Sequence, residues 1–221
     1  MISVIIPTLN EEKAVPLTLN SILEQAGEYE VLVVDGGSND TTLKEIRKYP
    51  QVKIITAKKG RASQMNAGAD LAKGEWLLFL HADALLPINA LAIIQQQSAD
   101  AGGFKHRFSN DTWGLKLVSW LHNFRCSRTG VFYGDQAMFV RRPLFMAMKG
   151  FPDVQYLEDL LFGERLVAMT KPVFLQQEVI SDSRKFEQEG VWLSLFRVLL
   201  IQVCHELKLP MPAKRFFAAV R

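Results

Sequence analysis

The chain has 221 residues, of which 48% are hydrophobic and 22% are charged. This composition is typical of a globular domain. The net charge is +3 and no block of like charges occurs, which does not favour a nucleic-acid-binding protein. The two cysteines, Cys126 and Cys204, lack metal-ligand spacing and are expected to be free thiols in a reducing compartment. We expect a cytoplasmic protein without a signal peptide or membrane span.

The first half of the chain alternates between strand and helix patterns. Strands are predicted at residues 2–6, 30–34, 52–55 and 74–80, and helices at 13–25, 41–48 and 62–72. The turns between them are short. This order predicts an α/β fold with a mostly parallel central sheet flanked by helices.

The second half is less regular. Helices are predicted at residues 87–98, 112–125 and 156–169, and strands at 102–108 and 172–179. Residues 131–140 carry an apolar segment. The tail from residue 190 is apolar-rich and predicts a helical end that includes residues 214–217. No repeat, low-complexity segment or linker interrupts the chain, so residues 1–221 predict one domain.

The most apolar strand, at residues 74–80, has no alternation and predicts a strand buried on both faces. It is followed by His81 and Asp83. Ligands of open α/β sheets bind at the carboxyl ends of strands, where a carboxylate can hold a hard cation and its phosphate ligand. The alternative is that Asp83 caps the helix that starts near Pro87.

Five segments, taken in order, resemble the GT-A glycosyltransferases, in particular the inverting enzymes of family 2. They are residues 4–12, 33–40, 60–68, 81–83 and 158–159. Residues 133–136 and the short chain are similar to a bacterial subgroup of small family 2 enzymes. The resemblance implies a GT-A fold, with residues 1–98 as the nucleotide-binding half and residues 99–221 as the acceptor-binding and catalytic half. It also implies transfer of a sugar from a nucleotide-diphosphate sugar, UDP-linked first and GDP-linked second, to an unidentified acceptor hydroxyl.

The resemblance assigns the nucleotide to the ends of the first two strands. Pro7, Leu9 and Glu11 are expected to line the base pocket, with Asp35 bonding the base and Arg61 near the base or the phosphates. For Asp35 a turn or helix cap is an equal alternative. For Arg61 the alternative is a solvated surface charge.

A divalent metal ion, Mn²⁺ or Mg²⁺, is implied at the diphosphate, where it would stabilise the leaving group. Family members usually carry Asp-x-Asp at this place, whereas this sequence has His81-Ala82-Asp83. Asp83 is the expected metal ligand. His81 is either a second ligand or a structural hydrogen-bonding residue.

Inversion requires a base that takes the proton of the acceptor hydroxyl. By resemblance Asp159 is this base and Glu158 is its neighbour. Two ordinary first-turn acids are the alternative, because helix N-termini favour carboxylates. Gly134, Asp135 and Gln136 are expected to line the sugar or acceptor pocket, and Arg184, in a predicted loop, to approach the diphosphate.

Two other functions remain open at this stage. A nucleotidyltransferase would use a similar nucleotide pocket, but the acidic, glycine-free turn at residues 7–12 counts against it. A non-catalytic nucleotide-sugar-binding protein is consistent with the missing first Asp of Asp-x-Asp. The apolar side chains Trp192, Phe196, Leu199 and Leu200 predict either a helix that contacts a membrane surface peripherally or, preferably, one that packs against the sheet. The oligomeric state is not predicted.

Overall fold

The computed structural model describes residues 1–209. Its first half contains the predicted four strands and three helices, with ends shifted by a few residues. In chain order they are β1 (Ile2–Thr8), α1 (Val15–Leu23), β2 (Tyr29–Asp35), α2 (Thr42–Ile46), β3 (Val52–Thr56), α3 (Arg61–Leu71) and β4 (Trp76–Phe79). Pro7, predicted in the turn, lies inside β1.

The second half contains more elements than the sequence pattern predicts. They are β5 (Ala84–Leu85), α4 (Ala90–Gln95), β6 (Ala101–Phe108), α5 (Trp113–Thr129), a 3-10 turn (Gly134–Gln136), β7 (Phe139–Arg141), α6 (Arg142–Ala147), α7 (Glu158–Met169), β8 (Val173–Ser181), α8 (Arg184–Glu189) and α9 (Val191–Glu206). The short elements β5, β7, α6 and α8 were not predicted. The predicted helical end at residues 214–217 lies outside the described residues.

One eight-stranded sheet runs through the molecule in the order β3-β2-β1-β4-β7-β6-β8-β5. The strands β3, β2, β1 and β4 are parallel to one another, as predicted. The short β7 is antiparallel to both of its neighbours, β4 and β6, whereas β6 and β8 pair in parallel. The sheet is therefore parallel in its first half and mixed in its second.

Strand β4 supplies side chains to two separate hydrophobic cores, one on each face of the sheet. Trp76 and Leu78 belong to the core that includes α1 and α4. Leu77 and Phe79 belong to the core that includes α3 and α7. Each fully buried side chain of this size contributes about 1.5–3 kcal/mol to folding. The prediction of a strand buried on both faces is confirmed.

Helix α9 packs against α5 and α8. Leu195 and Val191 join a small cluster around Phe108, while Trp192 and Phe196 are 57% and 59% exposed. The expected packing of Trp192 and Phe196 against the sheet is wrong, because the helix lies over other helices and turns these two rings outward. Within residues 1–209, helices are too short or too polar to cross a bilayer.

Candidate active site

The carboxyl ends of three neighbouring strands lie close together. In the β1–β2 pair, Thr8 is level with Asp35. In the β1–β4 pair, Ile5 is level with Phe79, and the next amide, of Leu80, donates to the Ile5 carbonyl. The segments that follow these strands therefore begin at one edge of the sheet, which is where ligands of such sheets bind.

A cavity of about 270 Å³ opens beside this edge. Six of the expected site residues line it, although they come from four separate segments of the chain: Arg61, His81, Asp83, Asp135, Glu158 and Asp159. Pro7, Leu9, Glu11 and Asp35 lie outside its lining. The predicted metal and base residues thus share one cavity with Asp135, whereas Gly134, Gln136 and the predicted base-pocket residues lie outside its lining.

Lys185 connects these two groups. Its Nζ lies 3.2 Å from Glu11 Oε1 and 3.4 Å from Asp83 Oδ2. Burial raises the pKa of Glu11, while the nearby Lys185 ammonium opposes this effect. Sequence reasoning did not identify Lys185.

The expectation that Arg184 lies in a loop is wrong, and its approach to the diphosphate stays a prediction. Arg184 begins α8, is 44% exposed and forms an ion pair with Asp182. Successive residues of a helix point about 100° apart, so only one of this basic pair can face the cavity. In the folded chain that residue is Lys185.

His81 packs tightly against the 3-10 turn. A Cβ atom placed on Gly134 would lie 2.2 Å from His81 Nε2, so only glycine allows this approach. Burial, followed by the nearby Arg61 guanidinium, lowers the pKa of His81. The imidazole is therefore neutral at neutral pH, the form that can ligate a metal ion.

Asp35 is buried, and its carboxylate accepts hydrogen bonds from the backbone amides of Gly37 at 2.9 Å and Ser38 at 3.1 Å. These bonds hold the turn that follows β2, which is the structural alternative for this residue. Contact with a base stays a prediction.

The start of α7 is set by backbone geometry. Leu157 has φ +63°, an uncommon conformation for a non-glycine residue, and the helix begins at the next residue. Glu158 is buried, and Arg61 Nη1 lies 3.9 Å from Glu158 Oε1. Arg61 is thus a partly buried partner of the α7 start and not a solvated surface charge.

Asp159 is held by two backbone amides. Oδ2 accepts from Gly134 N–H at 3.0 Å, and Oδ1 accepts from Leu160 N–H at 2.8 Å. The first bond joins the predicted base to the predicted sugar or acceptor turn. The approach to α7 is anchored as well, because Asn66 exchanges two hydrogen bonds of 2.9 Å with the backbone of Phe151.

Gln136 does not line the cavity. It is fully buried, and its amide donates to the Phe104 carbonyl at 3.2 Å while its oxygen accepts from Tyr133 N–H and Cys126 Sγ. These bonds hold the 3-10 turn in place. The structure thus gives Gln136 a structural position, unlike the pocket-lining position that we predicted.

Cys126, which bonds Gln136, and Cys204 are both free and buried, as predicted. Burial raises the pKa of the Cys126 thiol to about 12. This thiol is therefore un-ionised at neutral pH and unreactive.

Two histidines surround Asp135, and neither was singled out from the sequence. His106 Nε2 lies 3.8 Å and His122 Nδ1 3.6 Å from Asp135 Oδ2. Burial lowers the pKa of His106, and it lowers that of His122 to about 4. Both imidazoles are consequently neutral at neutral pH. The three side chains form a group with the composition of a metal site.

The cavity is lined by both charged and apolar side chains. The carboxylates are those of Asp83, Asp135, Glu158, Asp159 and Asp182, against the cations of Arg61 and Lys185. The apolar side chains that α5, α8 and α9 contribute to the lining include Val118, Leu121, Phe186, Leu195 and Val198. An excess of carboxylates favours cations and disfavours a bare diphosphate.

Comparison with solved structures shows the fold. Residues 1–349 of TarS from S. aureus, in complex with UDP, have a TM-score of 0.66 at 20% identity, over 92% of this chain and 65% of that one. The mannosyltransferase PcManGT from Pyrobaculum calidifontis, in complex with GDP-Man and Mn²⁺, has a TM-score of 0.66 at 22% identity, over 98% and 66%. The predicted GT-A fold is confirmed.

Comparison of sequences gives the family. A PGL/p-HBAD biosynthesis glycosyltransferase of Mycobacterium tuberculosis (strain ATCC 25177 / H37Ra) is 38% identical over 164 residues, which are 66% of this chain. The chain spans 60% of that relative's length. Residues 3–143 match the family model described as "Glycosyl transferase family 2". This match covers more than half of the chain and includes the strand ends that surround the cavity, so the protein belongs to glycosyltransferase family 2.

Proposed function

We propose that the protein is an inverting glycosyltransferase that uses a nucleotide-diphosphate sugar, a divalent cation and an acceptor hydroxyl. The observation that carries the proposal is the cavity, where Arg61, Asp83 and Asp159 meet from three distant segments. They match the three needs of the reaction: a cation near the phosphates, a ligand for a metal ion, and a base. Family membership argues against the nucleotidyltransferase alternative.

In the proposed reaction the acceptor oxygen attacks the anomeric carbon of the donor. Asp159 takes the hydroxyl proton as the new carbon–oxygen bond forms and the bond to the diphosphate breaks. Both Asp159 oxygens are oriented by backbone N–H groups, which fixes the direction of the carboxylate. Glu158, beside Arg61, is assigned to orientation and not to proton transfer.

The residues at the end of β4 fit a divalent cation. Asp83 supplies a carboxylate, and the neutral His81 supplies an imidazole nitrogen. Asp83 Oδ2 lies 3.4 Å from the ammonium of Lys185, so a divalent ion would share or replace this contact. When bound, a divalent ion would stabilise the charge that develops on the diphosphate. Lys185 and Arg61 are the basic side chains that would contact the leaving group.

Nucleotide binding is the direct test of the donor site. We expect UDP with Mn²⁺ to raise the melting temperature, and GDP to be the second candidate, because a ligand that binds only the folded chain stabilises it by mass action. At a concentration one hundred times Kd the gain is about 2.7 kcal/mol. The measurement is a thermal-shift series of UDP, GDP, dTDP and CMP, each with Mn²⁺ and with EDTA.

Two controls make this series decisive. Mn²⁺ without nucleotide separates metal binding from nucleotide binding, and inorganic pyrophosphate separates phosphate contacts from base contacts. If none of the nucleotides shifts the transition beyond these controls, the donor-site assignment is wrong. If a nucleotide binds but its sugar conjugate is never turned over, even by hydrolysis, the non-catalytic alternative holds.

We further propose that the acceptor is amphipathic. The cavity that contains Asp159 is also lined by apolar side chains of α9, among them Leu195 and Val198. Trp192 and Phe196 on the same helix are exposed and lie outside the lining. An acceptor with a hydrocarbon part would contact these apolar side chains and have its hydroxyl near Asp159. Peripheral membrane contact and a cytoplasmic location stay predictions.

Surrogate acceptors test this assignment. With linear alcohols from butanol to decanol as acceptors, we expect transfer efficiency to rise by up to about fourfold per methylene, because each buried CH₂ contributes about 0.8 kcal/mol. Val198→Asp should abolish the dependence on chain length while leaving donor hydrolysis unchanged. Leu209→Asp, on an exposed residue outside the cavity lining, is the matched control. Equal rates for all chain lengths would contradict an apolar acceptor subsite.

A further inference from the structure

The three side chains around Asp135 come from three different elements. His106 lies on β6, His122 on α5 and Asp135 in the 3-10 turn. One potential ligand atom from each lies within 4.8 Å of the others. The fold therefore brings two imidazoles and a carboxylate together at the cavity, which His122 and Asp135 line.

The spacing of these atoms fits a shared ion better than direct hydrogen bonds. The distances from Asp135 Oδ2, 3.6 Å to His122 Nδ1 and 3.8 Å to His106 Nε2, exceed hydrogen-bond length. Two ligand atoms about 2.1 Å from a tetrahedral zinc ion lie about 3.4 Å apart. A small closure of the group would place all three atoms at coordination distance.

The group also has unsatisfied polar atoms. His106 is 1% exposed, and neither its Nε2 nor Asp135 Oδ1 has a hydrogen-bond partner within residues 1–209. Nε2 of His122 is likewise buried and unpaired in the described part of the chain. Leaving a buried polar group without a partner typically costs about 1–3 kcal/mol. A bound cation would satisfy His106 Nε2, the one of these three atoms that faces Asp135 Oδ2.

Outer contacts hold His106 in an orientation suited to a ligand. Ser119 Oγ lies 3.3 Å from His106 Nδ1, which leaves Nε2 directed towards Asp135. Asn123 of α5 exchanges two 2.8 Å hydrogen bonds with the backbone of His106. Metal-binding histidines commonly bond their second nitrogen in this way, because it fixes the tautomer and the ring orientation.

We propose that His106, His122 and Asp135 bind a divalent transition-metal ion, at a site distinct from the cation site expected at Asp83. Two imidazoles and one carboxylate suit Zn²⁺ and its neighbours better than Mg²⁺ or Ca²⁺, which prefer oxygen ligands. His122 and Asp135 line the cavity, so the remaining coordination position faces the acceptor side.

The bound ion would tie the 3-10 turn to β6 and α5. Gly134 in that turn donates its N–H to Asp159, so the ion would also fix the position of the predicted base. This role does not depend on the identity of the donor sugar. It also does not depend on whether Asp83 holds a metal ion.

The test is metal content and affinity, with Zn²⁺ and Co²⁺ as probes. Wild-type protein that is treated with a chelator, reloaded with Zn²⁺ and desalted should retain one Zn²⁺ ion per chain. The Asp83→Ala protein should retain the same amount. His122→Gln and Asp135→Asn should weaken binding by more than about 100-fold, since even outer contacts of a metal site contribute 10–100-fold. His205→Gln, a change at a histidine that pairs with Glu164 outside the cavity, is the matched control.

Co²⁺ loading keeps the test conclusive if a variant fails to fold. In the wild-type protein a four-coordinate Co²⁺ site should produce intense visible absorption, which Zn²⁺ should displace and Mg²⁺ should not. The proposal is overturned if wild-type protein retains no Zn²⁺, or if retention is lost with Asp83→Ala and kept with His122→Gln. Equal Zn²⁺ affinity in the folded wild-type and Asp135→Asn proteins would also overturn it.

Discussion

Asp159→Asn is expected to abolish sugar transfer while leaving donor binding nearly unchanged. An amide cannot accept the acceptor proton, and loss of a general base typically lowers the rate by roughly a hundred- to ten-thousand-fold. The substitution preserves side-chain size, so the cavity retains its shape. The measurement is kcat for transfer, or for donor hydrolysis, together with nucleotide affinity.

The variant should also be slightly less stable. Both Asp159 oxygens accept backbone N–H bonds, from Gly134 and Leu160, whereas asparagine has one acceptor oxygen. Loss of one such bond costs about 1 kcal/mol, a small shift in melting temperature that is measured separately. A fall in rate without unfolding therefore reflects chemistry.

Glu158→Gln is the matched control for the base. It changes the neighbouring carboxylate, which contacts Arg61 and is assigned to orientation. We expect it to retain much more activity than Asp159→Asn. Wild-type-like turnover by Asp159→Asn would remove Asp159 as the base, and the assignment would pass to Glu158 or Asp135.

Asp83→Ala is expected to eliminate metal-dependent nucleotide binding. Without this carboxylate, His81 alone cannot balance a divalent ion and a diphosphate, and we expect a loss of more than about 100-fold, since even outer contacts of a metal site contribute 10–100-fold. The Mn²⁺-dependent part of the UDP thermal shift should vanish. His81→Ala should cost less, because a neutral ligand contributes no charge.

Asp182→Ala is the matched control for Asp83. Asp182 also lines the cavity, but it forms an ion pair with Arg184. Removal of this carboxylate should leave the Mn²⁺-dependent increase in melting temperature with UDP unchanged. If Asp83→Ala binds Mn²⁺ and nucleotide normally, Asp83 serves only as a local structural residue and the proposed donor site is wrong.

Patterns within single segments were sufficient to predict the parallel half of the sheet. Continuous apolar runs such as residues 74–80 bury both faces, and the alternation of strands with helices allows few topologies. The carboxyl ends of those strands could therefore be located in advance. For the same reason Asp83 could be expected at this edge, whereas Arg61 was expected near it only from the family resemblance; both line the cavity.

Features that depend on contacts between distant segments could be seen only in the tertiary structure. The three-residue strand β7 is too short for a periodic signal, yet it joins the two halves of the sheet. Lys185 and Arg184 are adjacent basic residues, and only the orientation of α8 decides which one reaches Asp83. The outward face of α9 likewise depends on its packing over α5.

The group of His106, His122 and Asp135 is another feature that tertiary contacts create and local sequence patterns do not predict. Its members lie on a strand, a helix and a turn, with no common spacing in the sequence. A local sequence pattern can reveal a metal site when the ligands lie in one short segment, as His81 and Asp83 do after β4. The sequence by itself determined the strands and helices of the first half and the strand ends there, whereas the meeting of three elements at Asp135 was decided by the packing of α5 against β6.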